Sequence, residues 1–190
     1  MESFLRLDLR IVRIITAEAF PAARNPSYKL SLEIGAGQRV QSSAQLTKGY
    51  ADPSLLVGKL GVAVVNFPAR RIAGLNSQAL LTGMYADESR VFLVQPQTEV
   101  DATLADSIAA GSRVLLLDTV TGEIIGQDHQ RDNVPLASID DLMQCQFALT
   151  INRSIGLGGY DEQILVVKSL QGNLVPLTTG TEVPIGTSLK

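Results

Sequence analysis

Apolar residues recur at every second position along much of the chain, the spacing of strands that bury one face. Phe4, Leu5 and Leu7 predict a short helical turn at the start, after which Leu9 and Ile11 alternate with Arg10 and Arg13 as in a half-buried strand. "PAARNPSY", with two prolines and an asparagine, predicts a loop. "KLSLEIGAGQRVQSSAQL" sets Leu30, Leu32 and Ile34 on one face, turns through Gly35 and Gly37 and resumes as a strand, which is a hairpin. In "ADPSLLVGKL", Asp52 can cap one or two helical turns with Pro53 at the first helical position. "GVAVVNF", "SQALLTGMYA" and "RVFLVQP" predict three further strands separated by turn residues.

Strand, hairpin, short helix and more strands, in that order, predict a mainly β protein whose first part is a five-stranded Greek-key barrel of the OB type. The second half reads as an abbreviated copy. "LSLEIGAGQRV" at 30–40 aligns with "LLLDTVTGEII" at 115–125, and "VAVVNFPARRIAGL" with "FALTINRSIGL" across a shortened loop. These alignments pair Asn66 with Asn152, Arg71 with Arg153 and Gly74 with Gly156, and "TEV" at 98 recurs at 181. Ordered matches at nearly constant spacing are what a diverged duplication predicts. The competing explanation is that any two small β-barrels share alternation and turn glycines. The expected organisation is an OB domain at 1–111 and a second β-rich domain at 112–190, a candidate truncated OB-like repeat.

Composition fits a globular chain: 45% of residues are hydrophobic and 18% charged, with Val, Leu and Ile filling a core that contains no tryptophan. No basic, apolar leader opens the sequence and no apolar run approaches a membrane span, so a soluble cytoplasmic protein is expected. The single Cys145 and single His129 supply neither a disulfide nor a metal cluster, so no metal or cofactor is expected. Charge is uneven. Residues 1–86 carry 10 Lys plus Arg against 5 Asp plus Glu, while residues 112–190 carry 5 against 9. The net charge of -3 therefore hides a basic first half, which points to a polyanionic partner.

Catalytic constellations are absent from the sequence, and no enzyme activity is expected. "IGLGG" at 155–159 is followed by the apolar "QILVVKSL" and not by a helix, so it reads as a hairpin loop and not as a phosphate cradle. Asp140 and Asp141 open a short apolar run, where carboxylates favour a helix N-terminus. The stretch "VVNFPARRIAGL" is more informative. Pro68 restrains a loop on which Arg70 and Arg71 can present guanidinium forks to phosphates or carboxylates; the alternative is a solvated pair packed over the barrel.

The strings "FLRLDLRIV", "QSSAQLTKGY" and "VGKLGVAVVNFPARRIAGLNSQALLTG" resemble the CsaA-type export chaperones over about residues 3–104. These belong to the wider tRNA-binding OB domains found also in methionyl-tRNA synthetases and in the endothelial monocyte-activating polypeptide. The resemblance implies a non-catalytic barrel that binds tRNA or structured RNA, or alternatively a cytoplasmic chaperone for unfolded preprotein segments. By motif it places Asn66, Arg71 and Ser77 in the family signature, and Lys29, Ser42, Gln45 and Lys48 on the binding-face strands. Arg70 completes the basic loop, and Tyr28, Tyr50 and Phe67 are the aromatic candidates for stacking bases. Members of this branch end near the position of Val100 and pair as dimers. A fused copy filling the partner's place would make this chain an intrachain pseudo-dimer in place of a homodimer.

Overall fold

The structure, a computed structural model, describes residues 2–98, 102–125, 134–159, 161–180 and 182–189. His129, and Glu99, Val100 and Thr181 of the "TEV" echo, lie outside the described residues. The chain opens with helix α1 (Glu2–Arg6) and continues through β1 (Leu9–Ala19), β2 (Tyr28–Glu33), β3 (Arg39–Ala44) and β4 (Leu60–Val64). A 3-10 turn at Pro53–Leu56 precedes β4, with the Asp52 side chain accepting from the Ser54 N–H as its cap. Next come β5 (Arg70–Ile72), β6 (Leu75–Ser77), β7 (Leu80–Leu81), β8 (Gly83–Tyr85), β9 (Val91–Leu93) and β10 (Gln95–Pro96).

One long strand organises the barrel. Leu9–Arg13 of β1 pairs with β4, and Arg13–Ala19 pairs with β2 across a register shift between Ile14 and Thr16. A strand shared in this way must bend, and the bulge supplies the bend. The resulting sheet has the order β3-β2-β1-β4-β7. Its open side is drawn together where the Gln78 N–H donates to the Gln41 carbonyl at 2.8 Å and the Ser42 hydroxyl donates to the Ala79 carbonyl at 2.9 Å. The result is the nearly closed five-stranded barrel that the alternation predicts. Its interior holds Val12, Ile14, Leu30, Leu32, Ala63 and Leu81, the inward members of each strand.

After α2 (Ala102–Asp106), the second half adds β11 (Val114–Asp118), β12 (Ile124–Ile125), α3 (Ile139–Gln144), β13 (Ala148–Leu149), β14 (Ile155–Gly156), β15 (Gln163–Lys168) and β16 (Leu174–Thr178). Its main sheet runs β10-β16-β15-β11-β12, so a strand from before residue 111 is built into it. The β11–β12 hairpin turns at Gly122 with φ 74°, and the connection between β2 and β3 turns through Gly37 with φ 73°. "IGLGG" forms β14 and a 3-10 turn, not a phosphate cradle.

The segments on either side of residue 111 share a core. Phe4, Leu9, Ile11, Val62 and Met84 pack in one cluster with Leu116, Phe147, Leu149, Leu165 and Leu177. Backbone bonds stitch the join: Gly111 N–H donates to the Ile11 carbonyl and Ile11 N–H to the Ser112 carbonyl, both at 2.8 Å. There Gly35 and Gly111, at φ 111° and 89°, press together so closely that a Cβ on Gly111 would stand 2.7 Å from the Gly35 Cα. Only glycine meets both demands at low cost. Near the C-terminus, Leu189 bridges Met84 and Glu182 pairs with Arg90, which also holds Asp87.

Candidate nucleic-acid interface

Alternation along β2 turns Leu30 and Leu32 inward and leaves Lys29 half-buried on the outer face, opposite Ser43 of β3 and Glu18 of β1. Beyond β3, β5 and β6 form a two-stranded ribbon joined by Ala73 and Gly74, whose φ values of 45° and 89° are those of a tight primed hairpin turn. The Ser77 hydroxyl accepts from the Ser43 N–H at 3.4 Å and Gln78 bonds to Gln41, so the ribbon is anchored on β3.

Register then decides what each arginine can do. Arg70 pairs with Ser77, Arg71 pairs with Asn76, and consecutive strand residues face opposite ways. The two guanidinium groups therefore do not act as one fork pair. Arg70 lines a groove on one face of the ribbon, and Arg71 is exposed on the other. Neither forms an ion pair among the described residues. Lys29, Ser43, Ser77 and Arg70 lie in one lateral row across β2, β3, β6 and β5, roughly 15 Å at ordinary strand spacing.

The groove has a volume of about 230 Å³. It is lined by Phe67, Pro68, Arg70, Ile72, Ala79 and Leu80 of the barrel and ribbon and by Ile139 of α3. Ser43, Ser77 and Gln78 contribute polar edges. α3 is positioned by Ser138 and Asp141, which cap it reciprocally. The Ser138 hydroxyl and N–H hold the Asp141 carboxyl below its usual range, helped by nearby Arg6. Thus Asp140 and Asp141 sit at a helix N-terminus, as their position before an apolar run predicts.

The remaining expected residues separate into two groups. Gln45 and Lys48 line a second recess of about 270 Å³ beside Asn25, Thr47, Tyr85 and Glu88, at the mouth of the β1–β2 loop. Ser42, Asn66 and the tyrosines are structural. Ser42 is fully buried with its hydroxyl on Ala79. Asn66 is buried, accepts from the Asp8 N–H at 2.9 Å and donates to the Arg6 and Pro135 carbonyls at 2.8 Å each. Tyr28 is buried and donates to the Tyr50 carbonyl; Tyr50 packs edge-on against Phe92, and its hydroxyl accepts from the Leu93 N–H. Burial raises both tyrosine pKa values. Of the three aromatic candidates, Phe67 is the one on the groove. Ser43, Gln78 and Ile139 belong to the site and were not expected there. Period-two alternation through Gln41 and Gln45 reaches Ser43, whereas nothing local in the sequence points to Ile139.

Arg153, aligned with Arg71, sits in the turn between β13 and β14 at φ 59° and donates to the Gly180 and Val183 carbonyls at 2.7 and 3.3 Å. Its guanidinium is spent inside the fold. Among the described residues no cluster of three or more His, Cys, Asp or Glu could hold a metal ion, and no helix is long and apolar enough to cross a membrane.

An OB barrel with a polar row that starts at Lys29 and ends at Arg70, on the ribbon between its last two strands, is an oligonucleotide-binding architecture. Residues 9–104 match the model of the putative tRNA binding domain, and the chain belongs to that family. It is 33% identical over 101 residues to a methionine--tRNA ligase of Chlorobaculum tepidum and 33% identical over 99 residues to that of Nitrosomonas europaea. In each case the match covers 52% of this chain and spans 14% of the ligase. Among solved structures, the chaperone CsaA of Bacillus anthracis is 39% identical over 59% of this chain and 93% of its own, with a TM-score of 0.49. The C-terminal domain of Plasmodium vivax p43 is 13% identical but superposes over 100% of both chains with a TM-score of 0.70, so the whole two-part fold is shared with it.

Proposed function

We propose that this protein is a non-catalytic, cytoplasmic binder of tRNA or similarly structured RNA, acting through the β2–β3 face and the β5–β6 ribbon. The observation that carries the reading is the row from Lys29 to Arg70, with Arg70 and, on the opposite face of the ribbon, Arg71 both exposed and without ion-pair partners among the described residues. Strands 2 and 3 and the loop before the last strand are where OB barrels hold oligonucleotides. Lys48 extends the basic track towards the β1–β2 loop. Few aromatics are free to stack, so phosphate contacts dominate and binding is steeply salt-dependent.

The test is a titration of labelled tRNA at a series of salt concentrations with wild type, Arg70→Ala and Arg71→Ala. Each substitution should weaken binding and flatten the salt slope by about one phosphate contact. Absence of binding at about 50 mM salt overturns the reading. The apolar residues Phe67, Ile72, Leu80 and Ile139 along the groove favour a second reading, a chaperone that receives extended preprotein segments. Cross-linking to an unfolded precursor separates the two, because a chaperone retains it in high salt. We further propose a monomeric pseudo-dimer. The apolar residues that the second half covers would otherwise be available to a second copy, and light scattering at about 20 kDa supports this while a dimer paired through two barrels contradicts it.

A further inference from the structure

The groove beside Arg70 takes its lining from both halves of the chain, with the Arg70 guanidinium as its one charged lining group and Ile139 of α3, 54% exposed, as the second half's contribution. One basic group beside an apolar lining offers a duplex, charged on both flanks, a single phosphate partner. A single nucleotide unit suits the polarity: phosphate towards Arg70, base between Phe67, Pro68 and Ile139, base edge within reach of Ser43, Ser77 and Gln78. The volume of about 230 Å³ lies below the range of about 300–1,000 Å³ typical of drug-sized ligands, the scale of a single base.

Resting on the RNA reading above, we propose that the groove between the β5–β6 ribbon and α3 captures one unpaired nucleobase of a single-stranded end or loop. Residues of the second half then belong to the RNA site. Proteins read RNA in this way where bases are already unstacked and can be splayed onto apolar or planar side chains. Bonds internal to the fold hold the segment that leads into α3 and Ile139. Asn66 holds the approach to α3 through its side-chain bond to the Pro135 carbonyl and through its own carbonyl, which accepts from the Ala137 N–H at 3.0 Å.

The experiment uses the full chain, a single-stranded tetranucleotide carrying one 2-aminopurine, a blunt RNA duplex and tRNA. With wild type, 2-aminopurine fluorescence should change on binding, and at equal salt the tetranucleotide should compete for the groove better than the duplex. Ile139→Ser should weaken tetranucleotide binding about five-fold and remove the fluorescence change; Ile139→Trp should restore both. Both variants alter an exposed, uncharged position, and circular dichroism checks that they are folded. If tRNA binds in an Arg70-dependent way but neither Ile139 variant moves affinity or fluorescence, the base site is refuted and the RNA reading stands. If no RNA binds at low salt, the RNA reading itself fails. An apolar peptide that occupies the groove while the tetranucleotide leaves the fluorescence unchanged also refutes the base site, and assigns the groove to peptide.

Discussion

Replacing Asn66 by alanine tests whether this side chain joins the two halves or touches ligand. The change strips the acceptor from the Asp8 N–H and the donors from the Arg6 and Pro135 carbonyls, all at a side chain only 8% exposed. At about 1 kcal/mol net per hydrogen bond, with unsatisfied buried groups costing at the upper end, the loss is about 3 kcal/mol. Against a total stability of about 5–15 kcal/mol this is a large fraction. With a urea m-value of about 1–3 kcal/mol/M it moves the unfolding midpoint down by about 1–3 M. Urea titration followed by circular dichroism measures the shift, and amide exchange at Ala137, which donates to the Asn66 carbonyl, reports whether the approach to α3 loosens with it. Per folded molecule, tRNA affinity should stay within about two-fold, because all polar atoms of the Asn66 amide already have partners. A midpoint within about 0.2 M of wild type, or a stable variant with affinity lost, would refute the assignment.

Three further outcomes follow from single positions. Gly111→Ala places a methyl 2.7 Å from the Gly35 Cα at a positive φ, and should cost about 2–3 kcal/mol by chemical denaturation while leaving the isolated spectra of folded protein unchanged. Ala73→Asn puts a residue that tolerates the left-handed region at φ 45° ahead of Gly74, and should stabilise by about 0.5–1 kcal/mol with no loss of tRNA binding. Cys145 is 4% exposed and burial pushes its thiol up to about 11, so iodoacetamide should label it slowly in the native state. The folded thiolate is scarce below that value and rises through it, whereas in denaturant labelling should follow the ordinary thiol range.

Period two was enough to place β2 and the glycine-turned hairpins, because β2 buries one face in a single barrel, whereas β1 and β4 read as apolar runs because they bury both faces, Ile11 and Val62 in the shared core and Val12 and Ala63 in the barrel. The Asp52 cap and the acidic start of α3 were equally legible, since caps act within a few residues of themselves. What the sequence could not supply were partners distant in the chain. Asn66 looks like a binding residue when read with its neighbours, yet its amide is committed to Arg6, Asp8 and Pro135. Arg70 and Arg71 are adjacent in sequence and opposed in space, a consequence of β5 being a strand where Pro68 and the glycine suggested an irregular loop. Tyr28 and Tyr50 carry the composition of a stacking platform, but Tyr28 is buried and half-buried Tyr50 packs on Phe92 and accepts from the Leu93 N–H. Ile139 enters the groove only because the second half packs onto the first.

That shared core also sets a clock on synthesis. The barrel strands are complete once the ribosome has passed residue 104, but Leu9, Val62, Val64 and Met84 are not covered until the segment ending at Leu189 has been made. At about 5–20 residues per second, the roughly 85 residues in between take about 4–17 s. Throughout that interval those apolar side chains lack the partners that bury them in the finished fold. A rare codon or pause in the second half lengthens the exposure, so slowing elongation there should lower the yield of folded chain more than the same delay in the first hundred residues.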